Sequence, residues 1–249
     1  MNIVIKHYEA KFKKELNPKV GLIALSTDQT IEKDFKKICF NLPVDIFINR
    51  IHNQNPLTKE NLLKMREDLT SVANKILPDE KLKTIAYGCT SGTIAIGEDS
   101  VKEKILSAKP DCYVTTPVTS AIKAFKKMNI NKIALLTPYP DAVNKTILEY
   151  FTRKNITVLS FASLNLKLDS EFANVDPDYI LEISSTLDTK NVDALFISCT
   201  ALPVLSIIDK LEKKIQKTVL SSNQTLIWDT LRSIGCNSTI KGYGKLLEN

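Results

Sequence analysis

The chain has 249 residues, of which 43% are hydrophobic, enough for one large α/β domain or two lobes of ordinary size. Its net charge is +6, but the lysines are spread along the chain, which argues against nucleic-acid binding. Five cysteines without metal-type spacing and only two histidines argue against structural disulfides and a metal site. There is no glycine-rich nucleotide fingerprint, no amino-terminal signal and no membrane-length apolar stretch, so we predict a cytoplasmic protein without a cofactor.

Short apolar runs alternate with longer helical patterns along the chain. The predicted strands are 20–26, 44–49, 84–88, 113–115, 132–137, 157–161, 194–198 and 218–221. The predicted helices are 29–40, 59–77, 99–107, 120–128, 140–154, 178–187, 204–215 and 224–234. Strands that alternate with helices in this way form parallel sheets covered on both faces, so the predicted fold class is α/β.

Two of the predicted strands end in the same way, with a cysteine followed by a threonine. Cys89 follows the strand at 84–88, and Cys199 lies at the end of the run at 194–198. Each half of the chain therefore carries a copy of one strand, cysteine and helix unit. We predict two similar lobes that face each other across a cleft. The first lobe is 1–117, completed by 222–249, and the second is 118–221.

The position of the two thiols suggests a chemical role. At the end of a strand and the start of a helix, free backbone N–H groups and the helix dipole favour a thiolate and can bind a carboxylate. We therefore expect helix ends and neighbouring hydroxyls to lower the pKa of both thiols modestly in the empty protein, and substrate binding and lobe closure to complete the site. The alternative is a pair of small apolar core residues, since free cysteine is among the most buried side chains. The repeated context favours two thiols, Cys89 and Cys199, that face one substrate.

Four short motifs resemble those of one enzyme superfamily. They are Tyr-Gly-Cys-Thr-Ser at 87–91, Leu-Thr-Pro-Tyr at 136–139, Ser-Cys-Thr-Ala-Leu at 198–202 and Ser-Ser-Asn-Gln at 221–224. With them the chain resembles the aspartate/glutamate racemase superfamily, and more closely the branch of maleate cis-trans isomerase and arylmalonate decarboxylase. The opening segment at 21–35 is most similar to the ectoine-utilisation protein A group.

This resemblance implies a cofactor-independent, homodimeric enzyme. Its fold would be two pseudo-symmetric, Rossmann-like lobes, each a parallel sheet flanked by helices, with the active site in the cleft between them. Cys89 and Cys199 would be the catalytic pair, and Tyr139 would donate a hydrogen bond to a substrate carboxylate. Three residues would supply backbone or hydroxyl donors beside the thiols: Thr90, Ser91 and Thr200. The alternatives are loop packing for the tyrosine and helix capping for the other three.

The chain differs from maleate isomerases at two acidic positions. Those enzymes have asparagine where this chain has Asp28, and a second asparagine aligns near Asp169. An asparagine amide donates to a substrate carboxylate, whereas an ionised aspartate repels one. The two aspartates therefore favour a substrate with an ammonium or other N–H-bearing group over maleate. The alternative for Asp28 is an N-cap for the helix at 29–40.

We predict a cofactor-independent isomerase, either a racemase/epimerase or a cis-trans isomerase, that acts on a small carboxylate. The similarity to ectoine-utilisation protein A suggests an amino-acid-derived intermediate of ectoine or hydroxyectoine breakdown. Three alternatives stay open: maleate isomerase proper, an arylmalonate-type decarboxylase and a non-catalytic small-molecule-binding protein. Arylmalonate decarboxylases keep only the second cysteine, so the presence of both Cys89 and Cys199 argues for two-sided thiol chemistry.

Overall fold

The computed structural model describes residues 5–13 and 16–248, and its strands form two parallel four-stranded sheets. The first sheet consists of β1 (Lys19–Leu25), β2 (Asp45–Ile51), β3 (Thr84–Gly88) and β4 (Tyr113–Thr115), in the order β2-β1-β3-β4. The second consists of β5 (Lys132–Thr137), β6 (Thr157–Ser163), β7 (Ala194–Ile197) and β8 (Thr218–Ser221), in the order β6-β5-β7-β8. The strand order matches between the sheets, and the predicted pair of α/β lobes is confirmed.

Helices connect the strands and cover the sheets. In the first half they are α1 (Ile31–Cys39), α2 (Lys59–Asn74), α3 (Thr90–Ile96) and α4 (Glu98–Ala108). The others are α5 (Pro117–Lys127), α6 (Asp141–Arg153), α7 (Asp169–Ala173), α8 (Pro177–Thr186), α9 (Ile208–Ile215), α10 (Ser222–Ser233) and α11 (Lys245–Glu248). Within the described ranges, no helix is long and apolar enough to cross a membrane.

The predicted strands agree with the observed ones to within two residues at each end. The reason is that inner strands such as β3 and β7 are buried along their whole length, which requires a continuous apolar run. The predicted helices omit α3, α7 and α11, which have only four to seven residues. Helices of this length are too short to show a periodic apolar pattern.

Helix α10 joins the two halves of the molecule. It begins directly after β8, which pairs with β7 in the second sheet. Its body packs against α5 and β3, and residues 222–231 are all buried. The start of α10 therefore lies where the two sheets meet. The predicted lobe boundaries, 1–117 with 222–249 and 118–221, stay a prediction.

Candidate active site

The two cysteine–threonine pairs lie at corresponding positions of the two sheets. Both β3 and β7 are third in the strand order, and Cys89 and Cys199 lie just beyond their carboxyl ends. In parallel α/β sheets, ligands bind at this edge. All eight residues predicted for the site line one cavity there: Asp28, Cys89, Thr90, Ser91, Tyr139, Asp169, Cys199 and Thr200. The same cavity is also lined by Leu25, Thr27 and Ala201.

The cavity is small and closed. Its volume is only about 10 Å³, which is room for one water molecule. Loops from both halves of the chain close it, because the side chains of Thr27 and Asn53 donate to Asp169 Oδ2 at 2.9 and 2.5 Å. The Leu57 amide also donates to the Lys167 carbonyl at 3.0 Å. A cavity of this size cannot hold a small carboxylate, so substrate binding requires it to widen.

Cys89 caps the amino terminus of α3. Its Sγ accepts a hydrogen bond from the Gly92 amide at 3.2 Å and lies 4.0 Å from the Ser91 hydroxyl oxygen. The Thr93 hydroxyl donates to the Cys89 carbonyl at 2.6 Å and fixes the first turn. This thiol lies at a helix start, as its sequence context predicts.

The prediction of an equivalent helix start after Cys199 is wrong. The residues that follow form a loop, then a 3₁₀ turn at Leu205–Ile207 and only then α9. Cys199 has a φ of +132°, which residues with a side chain rarely adopt. Its amide donates to Ser222 Oγ at 3.0 Å, and the Ala201 amide acts to lower the pKa of its thiol. The second thiol is therefore held by its own loop and by α10, without a helix dipole.

The predicted lowering of the thiol pKa is also wrong for the closed cavity. Burial raises the pKa of Cys89 from 9.0 to about 12, and the hydrogen bond from the Gly92 amide offsets this only in part. Burial likewise raises the pKa of Cys199, and the Asp169 carboxylate raises the pKa of both thiols. Both thiols are therefore neutral at pH 7 while the cavity is closed. Opening of the cavity, or new hydrogen bonds from a substrate, must favour the thiolate.

Tyr139 is buried between the thiols and a packing partner. Its ring contacts Phe172 edge to face, with centroids 6.0 Å apart. Burial raises the pKa of its hydroxyl, and the nearby thiols Cys199 and Cys89 raise it further. The hydroxyl therefore stays protonated and can donate a hydrogen bond. The packing role is present in the structure, and the role as a donor to a substrate stays a prediction.

The two aspartates differ in how their oxygens are bound. Asp28 Oδ1 accepts hydrogen bonds from the amides of Thr30 and Ile31 at 2.7 and 2.9 Å, but the N-cap of α1 is Thr30, so Asp28 binds the turn before the helix and is not its N-cap. The other oxygen of this carboxylate, Asp28 Oδ2, is buried without a hydrogen-bond partner. The Thr200 hydroxyl lies close to this carboxylate but donates to the Gly88 carbonyl at 3.2 Å. Burial raises the pKa of Asp28 and also that of Asp169.

Hydrogen bonds within the protein occupy two of the predicted donors. The Thr90 hydroxyl donates to Ser222 Oγ at 3.0 Å, and the Thr200 hydroxyl donates to the Gly88 carbonyl at 3.2 Å. The third predicted donor, the Ser91 hydroxyl, has only a long contact of 4.0 Å with Cys89 Sγ, so it and the backbone amides are the donors nearest to that thiol.

Sequence reasoning gave no site role to four polar residues around the cavity: Thr27, Asn53, Ser222 and Asn223, of which the last two lie in the motif at 221–224. Each follows a strand that ends at this edge, namely β1, β2 or β8. A polar residue after a predicted strand was therefore the signal that could have found them.

Comparison with known proteins places the chain in a family. A profile of the family described as arylmalonate decarboxylase matches residues 72–247. The chain belongs to the arylmalonate decarboxylase family. Membership confirms the predicted branch of the aspartate/glutamate racemase superfamily, and with it the prediction of an enzyme of that superfamily.

The relatives of this chain include maleate isomerases. The maleate isomerase of Geobacillus stearothermophilus is 26% identical to this chain over an alignment of 243 positions, and the match covers 92% of this chain and 96% of that enzyme. The crystal structure of the Pseudomonas putida S16 maleate isomerase has a TM-score of 0.86 at 22% identity and covers 93% of this chain and 98% of its own.

A further structure shows covalent chemistry in a related fold. It is a cysteine-to-serine mutant of the Nocardia farcinica maleate cis-trans isomerase with a covalently bound succinylcysteine intermediate. Its TM-score is 0.85 at 20% identity, and it covers 93% of this chain and 98% of its own. The resemblance to the ectoine-utilisation group stays a prediction.

Proposed function

We propose that this chain is a cofactor-independent isomerase that uses Cys89 and Cys199 on a small carboxylate. The observation that carries the proposal is that both thiols line one cavity, each from a different sheet, together with the Tyr139 hydroxyl. A maleate isomerase that matches nearly the whole chain supports it. Two thiols in one cavity suit an isomerase, which must act on its substrate from two sides.

Cis-trans isomerisation would use the thiols in sequence. The Cys89 thiolate adds to one alkene carbon, and the π electron pair moves to the neighbouring carbon, which takes a proton from the Cys199 thiol. The resulting single bond then rotates. The Cys199 thiolate removes the proton again, the C–S bond breaks and the Cys89 thiolate is restored. The succinylcysteine in the N. farcinica enzyme supports covalent addition in that relative.

Racemisation would use the same two groups without a covalent adduct. One thiolate removes the α-proton from one face, and the opposed thiol returns a proton to the other. Donors must stabilise the developing enolate oxygens, and the Tyr139 and Ser91 hydroxyls and the amides at the start of α3 are available. Cys89 forms the thiolate more readily of the two, because it caps the start of α3, whereas no helix begins directly after Cys199.

For the substrate, we propose a carboxylate that carries an ammonium or other N–H-bearing group. Asp28 lines the cavity and is 1% exposed, and its Oδ2 is buried without a hydrogen-bond partner. A buried carboxylate oxygen without a donor costs free energy, and a substrate N–H group would remove that cost. Amino-acid-derived intermediates of ectoine or hydroxyectoine breakdown are candidates of this class, supported by the sequence resemblance alone.

The experiment is a turnover assay in heavy water with aspartate, maleate and ectoine-derived diamino acids as probes. An isomerase incorporates deuterium at the α-carbon or converts maleate to fumarate, without release of carbon dioxide. We expect Cys89→Ala and Cys199→Ala each to lower kcat by at least about a thousandfold. The control variant Cys236→Ala, at a partly exposed cysteine outside the cavity, should keep full activity.

Two results would contradict this function. Release of carbon dioxide from an arylmalonate, with activity kept in Cys89→Ala, would indicate a decarboxylase that needs only Cys199. The family assignment makes this the second candidate function. Binding of a probe carboxylate without turnover by the unmodified protein would indicate a binding protein that retains the fold.

A further inference from the structure

The start of α10 connects the two thiol loops directly. Ser222 Oγ accepts one hydrogen bond from the Thr90 hydroxyl and one from the Cys199 amide, both at 3.0 Å. Ser222 has no exposed surface, so neither bond can be replaced by bulk water. One oxygen atom thus joins the residue after the first thiol to the backbone of the second.

The loop that carries Cys199 is held by side chains from outside it. Besides the bond from the Cys199 amide to Ser222, the Asn223 side-chain amide donates to the Thr200 carbonyl at 2.8 Å. The Thr30 hydroxyl donates to the Ala201 carbonyl, also at 2.8 Å. A φ of +132° at a cysteine persists only where the surroundings determine it, and these three bonds do so.

We propose that Ser222 is a positioning residue that sets the place of Cys199 relative to Cys89. The proposal rests on the proposed function, in which both thiols must act on one substrate. Without the Ser222 hydroxyl, the Cys199 amide is a buried donor without an acceptor, and the strained loop relaxes to find one. Misplacement of a reacting group by about 1 Å costs on the order of a hundredfold in rate.

The test compares Ser222→Ala with Ser221→Ala, the same substitution one residue earlier. Ser221 caps α10 through the Gln224 amide at 3.3 Å and does not line the cavity, so its variant reports the cost of a weakened helix start alone. Two measurements are made on each protein. The first is the rate at which iodoacetamide alkylates each cysteine, resolved by mass spectrometry. The second is kcat and KM with maleate and with the diamino acids.

In Ser222→Ala we expect Cys199 to be alkylated about tenfold faster, because a relaxed loop admits water and restores thiolate formation. Cys89 should be alkylated at the original rate, since its bond to Gly92 lies within α3. We expect kcat to fall about a hundredfold while KM changes little. Ser221→Ala should leave both alkylation rates and kcat unchanged.

Equal alkylation rates of Cys199 in the two variants, measured on folded protein, would overturn the proposal. If Ser222→Ala does not fold, Thr90→Val breaks the same bridge from the other side without a change in side-chain shape. That variant should also lower kcat at unchanged KM, and full kcat would count against the bridge. If the unmodified protein turns over no probe, the proposed function fails while the alkylation rates still decide the role of Ser222.

Discussion

Cys89 and Cys199 follow corresponding strands of two sheets with the same order, yet their surroundings differ. Cys89 begins a helix, and an amide of that helix donates to its sulfur. Cys199 lies in a loop with a φ of +132°, and side chains from the start of α10 bind that loop. The similarity of the lobes therefore ends at the thiols. One thiol is positioned by its own helix, and the other depends on distant parts of the chain.

Changes at distant residues should therefore affect Cys199 first, whereas changes within α3 should affect Cys89 alone. The proposed mechanism needs both thiols in place, so either kind of change lowers activity. Site-resolved alkylation separates the two, because it measures each cysteine independently.

Apart from the cysteines themselves, the largest effect is expected from Asp28, whose carboxylate raises the pKa of Cys199. In Asp28→Asn the side-chain oxygen still accepts from the amides of Thr30 and Ile31, and an amide N–H group replaces the unpaired oxygen. We expect kcat/KM for maleate to rise about a hundredfold, because a donor replaces a group that repels a dianion. Conversion of maleate to fumarate is the measurement.

Asp68→Asn, on the exposed face of α2, is the matched control and should leave kcat/KM unchanged. The same Asp28→Asn change should weaken activity on the diamino acids. A rise in activity on those acids instead would show that this carboxylate does not bind their ammonium group.

A smaller effect is expected from Asp34, which supports the Cys199 loop through Asn223. The Asn223 amide donates to Asp34 Oδ2 and to the Thr200 carbonyl, both at 2.8 Å. Burial raises the pKa of Asp34 from 3.8 to about 7, although the Asn223 amide lowers it. The folded protein thus favours the protonated acid, and this contribution to stability is present below pH 3.8 and lost as the pH rises through 7.

Asp34→Asn keeps an acceptor for Asn223 and cannot ionise. We therefore expect its free energy of unfolding to exceed that of the unmodified protein by up to roughly 4 kcal/mol at pH 8, with little gain at pH 4. Urea unfolding at the two pH values measures this difference. Asp68→Asn should change the free energy of unfolding by the same small amount at both pH values. If the effect of Asp34→Asn does not depend on pH, Asp34 is not protonated in the folded protein.

The smallest effect is expected on the Cys89 side, at Gly92. A Cβ atom there would lie 2.7 Å from Cys89 Sγ and 2.8 Å from both Met65 Cε and Tyr87 Oη. Gly92→Ala should lower the free energy of unfolding by about 1 kcal/mol, because crowding outweighs the better helix propensity of alanine. It should change the alkylation rate of Cys89 and leave that of Cys199 unaltered. An equal change at both cysteines would show that α3 does not position Cys89 independently.

The sequence alone was sufficient for the framework of the fold. Strands β3 and β7 are buried on both faces, so their apolar runs reveal them, and the cysteine after each run marks the same edge of both sheets. The site residues predicted from the motifs line one cavity, because residues that follow parallel strands meet at one edge of the sheet. These features depend on local composition and on the geometry common to parallel sheets.

Tertiary structure decided the state and support of the thiols. Nothing in the residues around Cys199 indicates a φ of +132°, because that backbone is held by Ser222 and Asn223, which lie more than 20 positions along the chain. The pKa of Cys89 is raised because the thiol is buried, and residues of the other lobe contribute to that burial by closing the cavity to water. Burial and long-range hydrogen bonds arise only when distant segments meet, so they could not be predicted from either motif by itself.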